Sequence, residues 1–246
     1  MQPCVYFFLE EQEVNLPFWG RMRSSVFSFA LMLLLGAAFC LPAQADDGIA
    51  VTIRDRYASL ETFQAEFTQY LLHRESGSKE KREGTLVFKK PLLISWQTKK
   101  PAEETLVISS KEIWDYIVDE NICYRYPKEL VNDSRSLIQV VTGQALLSQD
   151  FDVKQAGTEG KLVILQLYPK DPVPTLVEAR LYVDPEKGYI QRAVITDFYG
   201  NENDVRFTSF IPNASVKSSA FSFTPPKGVE VEDRIDRSGV ESRNLF

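Results

Sequence analysis

The sequence predicts a mainly β fold: a strongly curved antiparallel sheet or barrel with two helices laid against it. Three observations lead there. Strand-like runs of a few residues recur at regular spacing between residues 63 and 210, turn signals separate them, and helix interrupts the series only once, at 134–149.

The chain opens on a segment of another kind. Arg21 and Arg23 supply a positive end, Val26 to Leu41 is an uncharged apolar run of 16 residues, and Pro42-Ala43-Gln44-Ala45 closes on a small-x-small pattern. Residues 22–45 therefore read as a cleavable export signal, with Met22 as the true start, residues 1–45 as a leader, and 46–246 as one exported domain. An uncleaved anchor and a lipoprotein acylated on Cys40 are the alternatives. The run falls short of the roughly 20 residues a spanning helix needs, and bulky Phe39 precedes Cys40 where lipoprotein processing takes a small residue.

Within the domain, Ile49, Ile53, Tyr57 and Leu60 recur at helical intervals with Arg54, Asp55 and Arg56 between them, so residues 49–60 form an amphipathic helix. From Phe63 the period changes to two: Phe63, Ala65, Phe67, Gln69 and Leu71 alternate with Gln64, Glu66, Thr68 and Tyr70, a strand. A charged turn is expected around 76–81. Strands follow at 84–89, 92–98, 104–109, 112–118, 122–126, 151–155, 162–168, 178–183, 190–197 and 203–210. Lys90-Pro91, Lys100-Pro101, the 184–188 Asp-Pro-Glu-Lys-Gly run and Gly200-Asn201 punctuate them. At 134–149, Leu137, Ile138, Val141, Ala145 and Leu146 have the spacing of one helix packed on the sheet.

A sheet of ten or eleven strands that curls without filling its middle encloses a concave apolar space, and a helix across the mouth would cover it. Leu86, Phe88, Ile94, Trp96, Trp114 and Tyr116 are the candidate lining, and ordinary core packing is the alternative role for them.

Composition narrows the function. The chain has 28 basic and 34 acidic residues and a net charge of −6, and without its first 45 residues it stays near −5. With no basic surplus it has no electrostatic footprint for nucleic acid or anionic headgroups, so any lipid contact has to be apolar rather than coulombic. Cys123 is the single cysteine outside the leader, which rules out an intrachain disulfide there and suits a small buried residue. His73 is the single histidine and has no triad or metal-ligand pattern around it; the acidic pairs Glu103-Glu104, Asp119-Glu120 and Glu230-Glu232-Asp233 fall where solvated acids collect. No catalytic residue, metal or cofactor is expected.

Several segments together point to a family. Phe63-x-Ala65-x-Phe67-Thr68-Gln69, Gly84-Thr85-Leu86 running into Lys90-Pro91-x-x-Ile94-x-Trp96, the Trp114-x-Tyr116 strand, and Phe221-Ser222-Phe223-Thr224-Pro225-Pro226-Lys227-Gly228-Val229-Glu230 resemble the LolA family of periplasmic outer-membrane lipoprotein carriers in order and spacing. The resemblance implies an unclosed half-pipe barrel with a lid of short helices over an apolar cavity that shelters acyl chains. Ile53, Tyr57, Leu60, Leu137, Ile138 and Val141 would then belong to the lid. It further implies a basic residue before the proline that hydrogen-bonds to the lid: Lys90 here, in place of the usual Arg, with Lys89 as the other candidate. The implied partners are acylated lipoproteins, an inner-membrane ABC transporter that loads them, and an outer-membrane receptor that takes them. A receptor of the same fold acylated on Cys40, and a periplasmic lipid-active hydrolase, are the alternative functions.

Overall fold

The computed structural model describes residues 47–132 and 135–235, all in one unit, Ala45–Phe246. The expected leader and its cleavage at Ala45 lie outside the described residues. Helix α1 (Asp47–Ala58) leads into strands β1 (Thr62–Leu72), β2 (Lys79–Lys89), β3 (Leu93–Lys100), β4 (Glu104–Ile108), β5 (Glu112–Ile117) and β6 (Ile122–Pro127). Helices α2 (Leu137–Val141) and α3 (Leu147–Asp150) follow. The chain then forms β7 (Phe151–Glu159), β8 (Leu162–Pro169), β9 (Glu178–Val183), β10 (Ile190–Thr196), β11 (Glu202–Pro212) and β12 (Glu230–Asp233).

All twelve strands form one sheet in the order β12-β6-β5-β4-β3-β2-β1-β11-β10-β9-β8-β7, with β12 and β7 as its two edges. The sheet is curved and unclosed. Every neighbouring pair is antiparallel except β12 with β6. Bulges at Glu66/Phe67, Glu83/Gly84, Gln155/Gly157 and Ile190/Arg192 supply curvature, because an extra residue on one strand bends it and raises the local twist. Gly84 is needed at its bulge: a Cβ there would lie 2.7 Å from Phe67 Cζ and closer still to the Gln97 carbonyl oxygen.

Register shows which side chains share the concave face. Phe63, Phe88, Ile94, Ile108, Ile113 and Tyr126 form one row across six strands, and Ala65, Leu86, Trp96, Leu106, Asp115 and Tyr124 the next. Against these rows α1 buries Ala50, Ile53 and Tyr57 on one narrow stripe, and Leu60, just past the helix end at Ala58 rather than inside the expected 49–60 helix, is buried beside them, each 3% exposed or less. Helix α2 is apolar at every position but Gln139 and buries Leu137, Ile138, Val140 and Val141. Its start is set by Ser136, whose side chain accepts from the Gln139 backbone N–H at 3.3 Å, while the Gln139 side chain donates to the Val131 carbonyl.

Four expectations need correction. The single helix at 134–149 is two short ones, because Gly143 adopts φ +67° between them and ends the first. The expected charged turn at 76–81 is shorter: β2 already begins at Lys79 and pairs with Leu72, so its charged first half is strand. The strands number twelve rather than ten or eleven. The last of them, β12, is short and charged and runs parallel beside β6. Finally, Trp114 and Tyr116 pair across the sheet with Val107 and Thr105, which puts them on the convex face, opposite Ile113 and Asp115. There they flank Phe223 at ring distances of 5.8 and 5.9 Å, and the stretch after β11, with its 3-10 turn Ser218–Phe221, packs over β3. Both faces of this half of the sheet are therefore apolar.

Candidate functional site

The concave face is where a ligand can be held. Leu86, Phe88 and Ile94 are fully buried there, and Trp96 is 6% exposed, its ring 4.6 Å from that of Phe67. Of the six candidate lining residues, these four share the face and Trp114 and Tyr116 do not. All six expected lid residues, Ile53, Tyr57, Leu60, Leu137, Ile138 and Val141, are buried in the same apolar cluster as the concave rows.

Tyr57 ties the covering elements together. Its ring meets Phe63 and Tyr189 edge-on at 6.5 and 6.2 Å, its hydroxyl accepts from the Ile190 backbone N–H at 3.2 Å, and Gly143 sits directly against its face. Burial pushes the phenol far above its ordinary range, so it stays neutral throughout the useful pH range. Phe210 extends the cluster, stacking on Phe63 at 4.8 Å and against Tyr189 at 4.7 Å. The sequence pattern singles out neither Tyr189, Phe210 nor Gly143; the signal available is the Gly itself, in the middle of an otherwise helical pattern.

Helix α1 is fastened at its far end. Lys90 Nζ donates to the carbonyl oxygen of Ala58, the last residue of α1, at 2.5 Å. A cation there meets an otherwise orphaned carbonyl and the negative end of the helix dipole. Lys89, by contrast, is a ladder residue, closing β2 opposite Thr62 and Leu93. Arg56, in the last turn of α1, donates to the Lys187 carbonyl at 2.6 Å.

Two of the spaces around this packing adjoin the concave face or α1. One, of about 370 Å³, lies between α1 and residues 143–149, with Lys90 on its wall and the exposed side chain of Leu146 beside it. The other, of about 270 Å³, opens at the β1–β2 end of the concave face between Leu71, Leu72, Trp96, Leu106, Leu137 and Ile195. Its rim is polar: Gln69 donates to Asn203, and Arg82 pairs with Glu104 at 3.0 Å. A small-ligand pocket runs to roughly 300–1,000 Å³, so neither space takes several long acyl chains as it stands.

The residues that suggest chemistry are dispersed. His73 is exposed at the edge of the smaller space, and Cys123 is buried on the convex side, where burial raises its thiol pKa. Among the described residues no group of three His, Cys, Asp or Glu is placed to hold a metal, and no helix is long and apolar enough to cross a membrane.

Comparison with known proteins places this geometry. Residues 58–224 match the family described as outer membrane lipoprotein carrier protein LolA. The outer-membrane lipoprotein carrier protein of Pseudoalteromonas translucida is 27% identical over 208 residues, which cover 83% of this chain and 95% of that protein. That of Proteus mirabilis is 29% identical over 182 residues, 74% of this chain and 87% of its own. In fold, the chain is similar to an uncharacterized conserved protein from Thermus thermophilus, with a TM-score of 0.51 at 16% identity, covering 78% of this chain and 100% of the other.

Proposed function

Since the chain belongs to the LolA family of outer membrane lipoprotein carriers, we propose that it is a periplasmic chaperone that carries lipoproteins between membranes by sheltering their acyl chains on the concave face. The observation that supports this most directly is that the expected lid residues belong to the core: Ile53, Tyr57, Leu60, Leu137, Ile138, Val140 and Val141 share one buried apolar cluster with Leu86, Phe88, Ile94 and Trp96. Each CH₂ removed from water is worth about 0.8 kcal/mol, so acyl chains do not cross an aqueous space unaided, and a carrier has to cover them. A carrier must also let go. Acyl chains that enter displace the lid, and the lost lid burial and the Lys90–Ala58 bond lower the net affinity to one that a receptor exceeds.

The remaining parts follow the same logic. Residues 22–45 direct export and are removed after Ala45. Loading energy comes from an inner-membrane ABC transporter, release is to an outer-membrane receptor, and the chain itself performs no catalysis. The test is displacement of a fluorescent apolar probe. Triacylated lipopeptide is expected to displace it and the deacylated peptide is not; equal competition by both would refute the reading. Intact mass of the periplasmic protein is expected to show a start at Asp46, and a lipid-modified Cys40 start would make it a receptor instead.

A further inference from the structure

The β10–β11 turn presents two large aromatic side chains to water. Phe198 is 73% exposed and Tyr199 76%, their rings edge to face at 5.6 Å. The backbone beneath them is pinned. Asp197 accepts from the backbone N–H groups of Tyr199 and Asn201 at 2.9 and 2.8 Å and from the Asn201 side chain at 2.8 Å, while Phe198 N–H donates to the Pro174 carbonyl at 2.9 Å. Arg74, in the neighbouring β1–β2 turn, donates its N–H to Asn201 Oδ1 at 2.9 Å. The main chain beneath the two rings is thus held in place. Asp197 and Asn201 also line the 270 Å³ space, so the aromatic tip stands at the mouth of the site.

We propose that Phe198 and Tyr199 form a membrane-contact tip that seats in the headgroup–acyl boundary of a phospholipid bilayer and holds the open end of the sheet against the lipid. The size of the pair selects this occupant. Two aromatic side chains offer about 300–500 Å², well short of the roughly 800 Å² per partner of a stable protein interface. Among the described residues nothing enlarges the patch: the other exposed large apolar side chains, Val51, Leu146, Ile211 and Val231, sit on α1, ahead of α3, at the far end of β11 and on β12. Lipid moulds itself around a small wedge, where a protein partner would need a matching pocket. Phe is wholly apolar and Tyr amphipathic, the combination suited to that boundary. The chain without its first 45 residues carries a net charge near −5, which gives no overall attraction to anionic headgroups, so the contact is expected to be apolar and insensitive to salt.

The inference takes its purpose from the carrier reading but is tested apart from it. Protein recovered from the periplasm, its mass showing the leader removed, is sedimented with phosphatidylcholine vesicles and with vesicles containing phosphatidylglycerol, no lipoprotein being present. The wild type is expected to bind both alike at low and high salt, and Phe198→Ser/Tyr199→Ser to bind at least about tenfold less. Asp197→Ala, which frees the loop without removing the rings, should fall between. Absence of wild-type binding, equal binding by the double variant, or binding confined to anionic vesicles at low salt would each overturn the proposal. A double variant that keeps vesicle binding yet fails to deliver cargo to a protein acceptor would overturn it in favour of a protein contact. Normal displacement of the apolar probe by triacylated peptide alongside absent vesicle binding removes the membrane contact alone. Normal vesicle binding with no displacement removes the carrier reading alone.

Discussion

Gly143→Ala is the substitution whose consequence can be worked furthest. The residue has φ +67°, where an L side chain costs about 1–2 kcal/mol. A Cβ there would also lie 2.7 Å from Tyr57 Cδ2 and nearer still to Cγ and Cδ1. The ring is fully buried, hemmed by Phe63 and Tyr189 and fixed through its hydroxyl, so it cannot swing aside. Overpacking of this kind costs about 1–3 kcal/mol, for a total of about 2–5 kcal/mol. Lifting α1 relieves the overpacking part, which corresponds to a shift of the lid equilibrium by roughly 5–150-fold. The variant is therefore expected to melt at lower temperature yet bind an apolar probe more tightly than the wild type. Tyr57→Ala in the same chain removes the obstruction, so Gly143→Ala added to it should cost only the backbone part, about 1–2 kcal/mol. Additive effects of the two substitutions, or unchanged probe affinity in Gly143→Ala, would show that Tyr57 and Gly143 do not couple the lid elements.

Three further predictions follow from single contacts. Lys90→Leu removes a charged donor from the end of α1, worth about 0.3–1 kcal/mol, so the variant should load lipopeptide at least as well as the wild type and pass it on more slowly; Lys90→Arg should restore transfer. Phe223→Ala should lower stability by about 1–2 kcal/mol, because the ring is half-buried against Trp114 and Tyr116, while leaving probe affinity unchanged since the contact is on the convex face. Burial alone would raise the Asp204 carboxyl, but hydrogen bonds and charge from Arg206 and Arg192 outweigh it and hold it below the usual carboxylate range. A carboxyl lowered on folding stabilises the protein above its unfolded pKa of about 3.9 and loses that contribution as pH falls through the folded value, so thermal melts below about pH 4 should decline for the wild type and decline less for Asp204→Asn.

Much of the sheet was legible because its strands are short, alternate with period two and end at Pro, Gly or Asn. What the alternation does not carry is which face is concave. In β5, Ile113 and Trp114 are both large and apolar, and the choice between them depends on the stretch after β11 covering the convex side, a contact made more than 100 residues away. Parity along β2 and β3 was unambiguous because the opposite positions are Thr85, Val87 and Gln97 rather than aromatic residues. Strand β12 was illegible for a different reason: Glu230, Glu232 and Asp233 give no alternation, and the strand exists because β6 offers an edge and Arg125 pairs with Asp233 at 3.0 Å. In the site, the family pattern pointed to Lys90, which bonds the end of α1, and to residues that share the buried cluster, whereas the Tyr57–Gly143 contact joins two elements whose approach no local pattern encodes.

The sharing of core and lid has a calorimetric consequence. Under the proposed mechanism, acyl chains that replace Ile53, Tyr57, Leu60, Leu137, Ile138, Val140 and Val141 against the concave rows exchange one apolar filling for another. The negative heat-capacity change of burying the chains is then offset by the positive change of exposing the lid, and the net for loading should be close to zero although the ligand is a hydrocarbon. With little heat-capacity change, the free energy of loading varies almost linearly with temperature. A carrier built in this way would hold hydrocarbon without the curvature in temperature that a rigid apolar pocket shows.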